Sequence, residues 1–251
     1  MTDLRPEDGT AIVTGAGSGL GQAMAVALTR RGFNVAGTGR RADALADTAA
    51  LCPPDRFTPL PLDVGDAEAV AQAFAGIRPI ALLVNNAAVY PQADFAAMDP
   101  QDFMAVVNTN LGGVVNCCHA ALQDMCARGQ GRILNVATFA DLHPLPAASA
   151  YSVSKGAARI LTRALIADLG DRFPEIVIGD WMPGSLATGM GIPDGLPPEV
   201  AAEWGIALAL RRDPTLTGAV FEMDREILPP RGLKRRVKDA LLFRRQRPRR
   251  L

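Results

Sequence analysis

The stretch Thr10-Ala11-Ile12-Val13-Thr14-Gly15-Ala16-Gly17-Ser18-Gly19-Leu20-Gly21 decides the fold. Its first five residues are small, apolar or β-branched, the pattern of a strand buried on both faces. Glycine then takes every second position, and helical periodicity begins at Gly19 and continues to Arg31. A strand that feeds a helix through a glycine turn opens a βαβ unit. Glycine allows positive φ in such a turn and lets the backbone approach a pyrophosphate, at which the helix N-terminus also points.

Outward from this turn the alternation continues. Residues 34–38, 57–62, 80–84, 132–137, 175–181 and 219–223 read as further strands, and 42–51, 66–75, 102–128, 152–172 and 199–211 as helices. Strand–helix alternation of this kind predicts an α/β fold: one Rossmann-like, doubly wound domain with a seven-stranded, mostly parallel sheet between helices. A length of 251 residues with 49% apolar and 21% charged side chains suits one globular domain. Residues 1–9 are polar, and no apolar run approaches the roughly 20 residues of a membrane span, so a cytoplasmic protein is expected. Cys52, Cys117, Cys118 and Cys126 show no metal-ligand spacing and read as reduced, small apolar side chains.

The zero net charge conceals an asymmetry. Residues 231–251 hold ten Lys and Arg against Asp239 alone, so the remainder is acidic. Pro229-Pro230 marks the boundary between a domain over 1–229 and a basic extension over 230–251. Leu233, Val237, Ala240 and Leu241 share one helical face among these cations. Such a helix can lie on an anionic membrane surface, contact a partner protein, dock on the acidic body or stay solvated, with nucleic acid the least favoured partner.

The glycine pattern TGxxxGLG at Thr14–Gly21 is followed in order by Asp63, Asn85-Asn86-Ala87, Asn110, Thr138, Tyr151-x-x-x-Lys155 and Pro183-Gly184 with Thr188. In this the chain resembles the short-chain dehydrogenase/reductase family from about Thr10 to Met223. The resemblance implies an oxidoreductase that interconverts a carbonyl and an alcohol on a small molecule, with NADP(H) as cofactor. Gly15, Ser18, Gly19, Leu20 and Gly21 would hold the dinucleotide at the turn. Asp63 and Val64 would meet its adenine, and Asn86 a ribose. Pro183, Gly184, Leu186 and Thr188 would hold the nicotinamide end.

At the end of the second strand Gly39 stands where an NAD enzyme carries a carboxylate, and Arg40 follows. A guanidinium grips a 2′-phosphate through paired charge-assisted hydrogen bonds, which favours NADP(H) over NAD(H). Ser18, where many NADP-using relatives carry a basic residue, pulls the other way.

Tyr151 and Lys155 are four residues apart and share one helix face. An ammonium near a phenol lowers a pKa that is ordinarily near 10 and makes it a usable acid or base. By resemblance Thr138 orients the substrate oxygen, and Asn110 holds a water against Lys155. A non-catalytic nucleotide-binding scaffold or sensor is the alternative, but it would be expected to lack Tyr151 or Lys155.

Two departures stand out. The stretch from Thr188 to Glu199 is short for a lid, which predicts an open pocket with His143 as a possible wall. The family's Asp-Gly-Gly after the last strand is replaced by Met223-Asp224-Arg225-Glu226, which leaves a homodimer or a homotetramer open.

Overall fold

The computed structural model describes residues 3–228 and 247–251. Eight strands form one sheet: β1 (Thr10–Thr14), β2 (Val35–Gly39), β3 (Phe57–Pro61), β4 (Ile80–Asn85), β5 (Gln130–Val136), β6 (Glu175–Met182), β7 (Val220–Glu222) and β8 (Arg225–Ile227). Their order is β3-β2-β1-β4-β5-β6-β7-β8. All neighbours are parallel except β7 and β8, which pair antiparallel through a tight turn. The sheet therefore has one strand more than the seven predicted. Residues 225–227 are too short and too charged to announce a strand, and it is their pairing with β7 that orders them.

The apolar runs predicted as strands occupy the sheet interior. Ile12, Leu82, Leu83, Val84, Ile133 and Leu134 have no solvent exposure. Side chains alternate between two cores because successive strand residues point to opposite faces. One core gathers Val13, Leu82 and Leu134 with α1 (Gly19–Arg30), α2 (Ala42–Leu51) and α7 (Pro198–Ala209). The other gathers Ile12, Leu83 and Ile133 with α3 (Ala67–Ala75), α5 (Gly113–Arg128) and α6 (Ser149–Leu169). Cys117 and Cys118 are buried in this second core as small apolar side chains, and burial pushes both thiols up. Gly205 lets α7 approach the buried Trp181, since a Cβ there would lie 2.6 Å from the indole. No described helix is long and apolar enough to cross a membrane.

The single helix predicted over 102–128 is interrupted. α4 (Pro100–Val107) ends in a π-helical turn at Asn108–Gly112 before α5 begins. One extra residue in a turn rotates the side chains beyond it, and such turns gather at functional positions. Asn110 sits in this one. At the other end of the chain, residues 247–251 return to the sheet edge. Arg249 O accepts from Glu226 N, Leu251 N donates to Asp224 O, and the Arg249 guanidinium faces Glu226 at 3.2 Å. The boundary at 229–230 and the basic helical face at 233–241 lie outside the described residues.

Candidate active site

The parallel order β2-β1-β4-β5-β6 puts the carboxyl ends of these strands along one rim, with a crevice where the winding reverses between β1 and β4. At that point the glycine turn is locked from below. The Thr14 hydroxyl accepts the backbone N–H groups of Asn86 and Ala87, each at 2.9 Å. The Asn86 amide donates to the Thr14 carbonyl at 2.9 Å. Asn86 thus ties β4 to β1, which is a structural role besides the ribose contact the resemblance implies. Gly15 and Gly19 take φ of +67° and +53°, conformations that favour glycine. Ser18 precedes α1 in an extended conformation, and its side chain makes no capping bond. Leu20 is buried against the sheet.

The crevice is lined by Gly15, Gly17, Ser18, Thr38, Gly39, Arg40, Arg41, Asp63, Val64 and residues 87–89, among others. Arg40 is exposed at its outer end. Asp63 spends one carboxylate oxygen on Gly65 N at 2.8 Å. The lining fits a dinucleotide. A Cβ on Gly15 would fall 2.9 Å from Ala87 Cα, the buried Thr38 hydroxyl has no partner, and two guanidiniums edge the open end.

Thr188 packs on the end of the glycine turn, since its Cγ2 would lie 3.2 Å from a Cβ on Gly19. Gly184 takes φ +86° just after Pro183. The lid curls on itself: the Leu186 carbonyl accepts from Thr188 N and Ile192 N, both at 3.0 Å, and Ala187 N donates to Leu196 O. The Leu186 carbonyl is therefore already engaged within the lid.

Tyr151 and Lys155 lie in the first turns of α6. Ala147, just before the helix, has φ +58° and gives its carbonyl to Ala93 N, so the two loops flanking the site are bonded together. The Tyr151 phenol is pushed up from its ordinary value. Burial is the largest cause, the Thr138 hydroxyl pulls the other way, and Tyr90 and Asp141 add to the rise. This reverses the expectation that Lys155 lowers it. The Lys155 ammonium is directed at the Val136 carbonyl, 2.9 Å away. Its own pKa falls to about 8, again through burial, with Asp180 opposing. Thr138, at the end of β5, accepts from Ala140 N at 3.2 Å. Asn110 is fully buried. Its oxygen accepts Val89 N at 2.7 Å and its amide donates to Ser154 Oγ at 3.0 Å. It therefore braces the helix beside Lys155 against the loop at Val89. His143 is exposed in the loop after Thr138.

Two features escaped the sequence reading. Tyr90, the only other tyrosine, lies with its ring centroid 4.5 Å from that of Tyr151. A buried polar chain also runs under the site across three strands: Asn85 donates to Asn135 at 2.8 Å, Asn135 to Thr162 at 2.9 Å, and Thr162 to the Asp180 carboxylate at 2.6 Å. A carboxylate inside the apolar run Ile176–Trp181 was the signal that could have exposed it.

Burial, the largest cause, raises the Asp180 carboxyl to about 6 from 3.8; its bond from Thr162 and the charges of Arg159 and Arg163 oppose this. A raised carboxyl stabilises the fold fully below its unfolded pKa, and that stability is lost as pH climbs through the folded value. The loss by pH 7.5 is about 3 kcal/mol. Asp180→Asn removes the titration and keeps the acceptor for Thr162. The difference in Tm between variant and wild type should grow by roughly 6–12 °C in the variant's favour from pH 4 to 7.5. Parallel Tm curves across that window would refute the assignment.

Comparisons with known proteins bear on the family and the fold. The family model described as short chain dehydrogenase matches residues 9–195. Carbonyl reductase 2, an NADPH enzyme of Sus scrofa, is 34% identical over 192 residues, covering 76% of this chain and 77% of that protein. L-xylulose reductase of Mus musculus is 35% identical over 161 residues, 64% of this chain and 65% of that one. A solved short chain dehydrogenase/reductase family protein superposes with a TM-score of 0.79 at 31% identity, covering 88% of this chain and 97% of the other.

Proposed function

The chain belongs to the short-chain dehydrogenase family, oxidoreductases acting on the carbonyl/alcohol pair, and from that premise we propose that it is an NADP(H)-dependent carbonyl reductase with Tyr151 as its proton donor. The observation that carries this reading is the placing of the glycine turn, with Thr188 packed on it, at the same strand-end rim as a Tyr151 phenol bonded to Thr138, with Lys155 one helical turn on and anchored on Val136.

Bound NADPH supplies the hydride. The chain does the rest. Thr138 orients and polarises the carbonyl oxygen, and Tyr151 gives that oxygen a proton. A phenol whose burial holds the proton is suited to the reducing direction, where it must arrive protonated. Lys155, anchored on Val136, fixes a positive charge near the developing phenolate, and Asn110 ties Val89 to the Ser154 hydroxyl, which in turn donates to the Tyr151 carbonyl. For the reverse reaction the same groups act in the opposite sense. Self-association through α5 and α6 is supported by Val115, Val153 and Ile160, which are 42%, 55% and 60% exposed on them.

NADP(H) over NAD(H) rests on Arg40 at the crevice's outer end with Gly39 in place of a carboxylate. The name of the Sus scrofa relative, an NADPH enzyme, supports it. Arg40→Asp should lower kcat/KM for NADPH by about 100-fold, two charge-assisted bonds being worth about 3 kcal/mol, while NADH use changes little. Steady-state kinetics with both cofactors test it. A wild-type enzyme that already prefers NADH would end the NADP(H) reading.

A further inference from the structure

Three loops meet above the phenol because β4, β5 and β6 are neighbours in the sheet and all end at the same rim. They span 86–99, 137–148 and 183–197. The first two are tied by the bond from Ala93 to Ala147, and Tyr90 of the first stacks on Tyr151. Their chemistry is one-sided. None of the three contains a Lys or Arg, whereas Asp94, Asp99, Asp141 and Asp194 all fall within them. The cation that reaches them from α6, Arg159, is held by Asp141 at 2.8 Å. Lys155 is buried and directed at a carbonyl.

Large apolar side chains stand open on these same loops. Phe95 is 68% exposed, Leu142 58%, Ile192 51%, Leu145 47%, Met190 44% and Phe139 39%. Single exposed apolar residues are ordinary, but six of them on the three loops that leave neighbouring strands at one rim mark a binding surface. The lid's bonds to itself leave Met190 and Ile192 uncovered.

We propose that the site takes a bulky, uncharged, apolar ketone or aldehyde and discriminates against carbonyl compounds that carry a carboxylate or phosphate. This rests on the carbonyl-reductase reading above and adds the substrate class to it. The apolar rim gains by covering the substrate's body. With Asp141 paired to Arg159, an anionic handle meets the carboxylates of Asp94, Asp99 and Asp194 and no Lys or Arg on these loops, so it must stay in water or be desolvated without a partner.

A matched pair of β-keto thioesters tests the charge. Acetoacetyl-N-acetylcysteamine and acetoacetyl-coenzyme A present the same reacting ketone, and only the second carries phosphates. The neutral thioester should show kcat/KM at least about tenfold higher, a difference of about 1.4 kcal/mol. A neutral two-ring aryl ketone should likewise exceed its carboxylated analogue. Leu142→Lys should narrow the thioester gap by about threefold, one solvent-screened charge being worth no more, and leave KM for NADPH where it was. Equal or better use of the coenzyme A thioester, or of the carboxylated ketone, overturns the proposal. Titration of the NADP+-saturated protein with the same ketone pair separates the two layers. Preferential binding of the neutral ketone without any NADPH consumption would leave the substrate class standing and sink the reductase reading. Equal binding of both would sink the substrate class alone.

Discussion

Replacing Tyr151 by Phe is expected to lower kcat for carbonyl reduction by about 1,000-fold, within the range that positioned proton transfer contributes, while the Kd for NADPH stays within about twofold. The substitution is well isolated. The ring remains, so its tilted contact with Tyr90 at 4.5 Å and its burial survive. The phenolic oxygen is the atom removed, and the Thr138 hydroxyl beside it keeps its bond from Ala140. Stability should move by less than about 1 kcal/mol, because one hydrogen bond inside a protein is worth about that much net. NADPH oxidation followed by absorbance gives kcat, and NADPH fluorescence gives the Kd. A kcat within tenfold of wild type would remove Tyr151 from the chemistry, whatever the rest of the site does.

The direction of the Tyr151 shift sharpens this expectation. Two i,i+4 residues on a helix suggest that the ammonium touches the phenol and lowers its pKa. Packing decides otherwise. Lys155 is drawn to the carbonyl of Val136, on the strand behind, and the phenol is left buried with Tyr90 and Asp141 nearby, which together favour its protonated form over the pull of Thr138. Helix spacing tells which face a side chain shares, but not which acceptor is nearest to it. The same limit explains Asn110. Its place in the helix was legible, yet its three bonds depend on a π-helical turn, and neither residue pattern nor periodicity encodes a single inserted residue. Conversely, the glycine turn and the succession of the first six strands with helices between them were readable, because they follow from short-range patterns repeated along the chain. Strand β8 was not. Its three residues have no apolar alternation, and it gains order from β7 on one side and from Arg249 and Leu251, more than twenty residues further on, on the other. The link from Asn85 to Asp180 was equally hidden, since each member belongs to a different strand or helix and is joined only by sheet order and register.

What that order asks of the backbone is tested most severely at Gly21. A Cβ at this position would sit 2.1 Å from the Gly15 carbonyl oxygen and 2.5 Å from the Asn86 amide. Neither neighbour can yield cheaply. The Gly15 carbonyl is fixed by a φ of +67°, and the Asn86 amide is the clamp between β1 and β4. Helix propensity points the opposite way, because Ala inside a helix is preferred to Gly by about 1 kcal/mol. The clash should win. Overpacking by a single carbon costs about 1–3 kcal/mol where side chains can adjust, and here the obstacle is backbone, so Gly21→Ala should lose about 3 kcal/mol net. That corresponds to a fall in Tm of roughly 6–12 °C for a chain of this size. NADPH affinity should drop at least about tenfold as well, since 1.4 kcal/mol of distortion in the phosphate cradle suffices for that. Gly129→Ala provides the comparison. Its φ is +71° and nothing lies within 4 Å of the added carbon, so it reports the conformational cost alone, about 1–2 kcal/mol, and should leave NADPH binding intact. If Gly21→Ala proved no less stable than Gly129→Ala, or bound NADPH as tightly as the wild type, the close contact between the first helix and its own turn could not be what shapes the cofactor crevice.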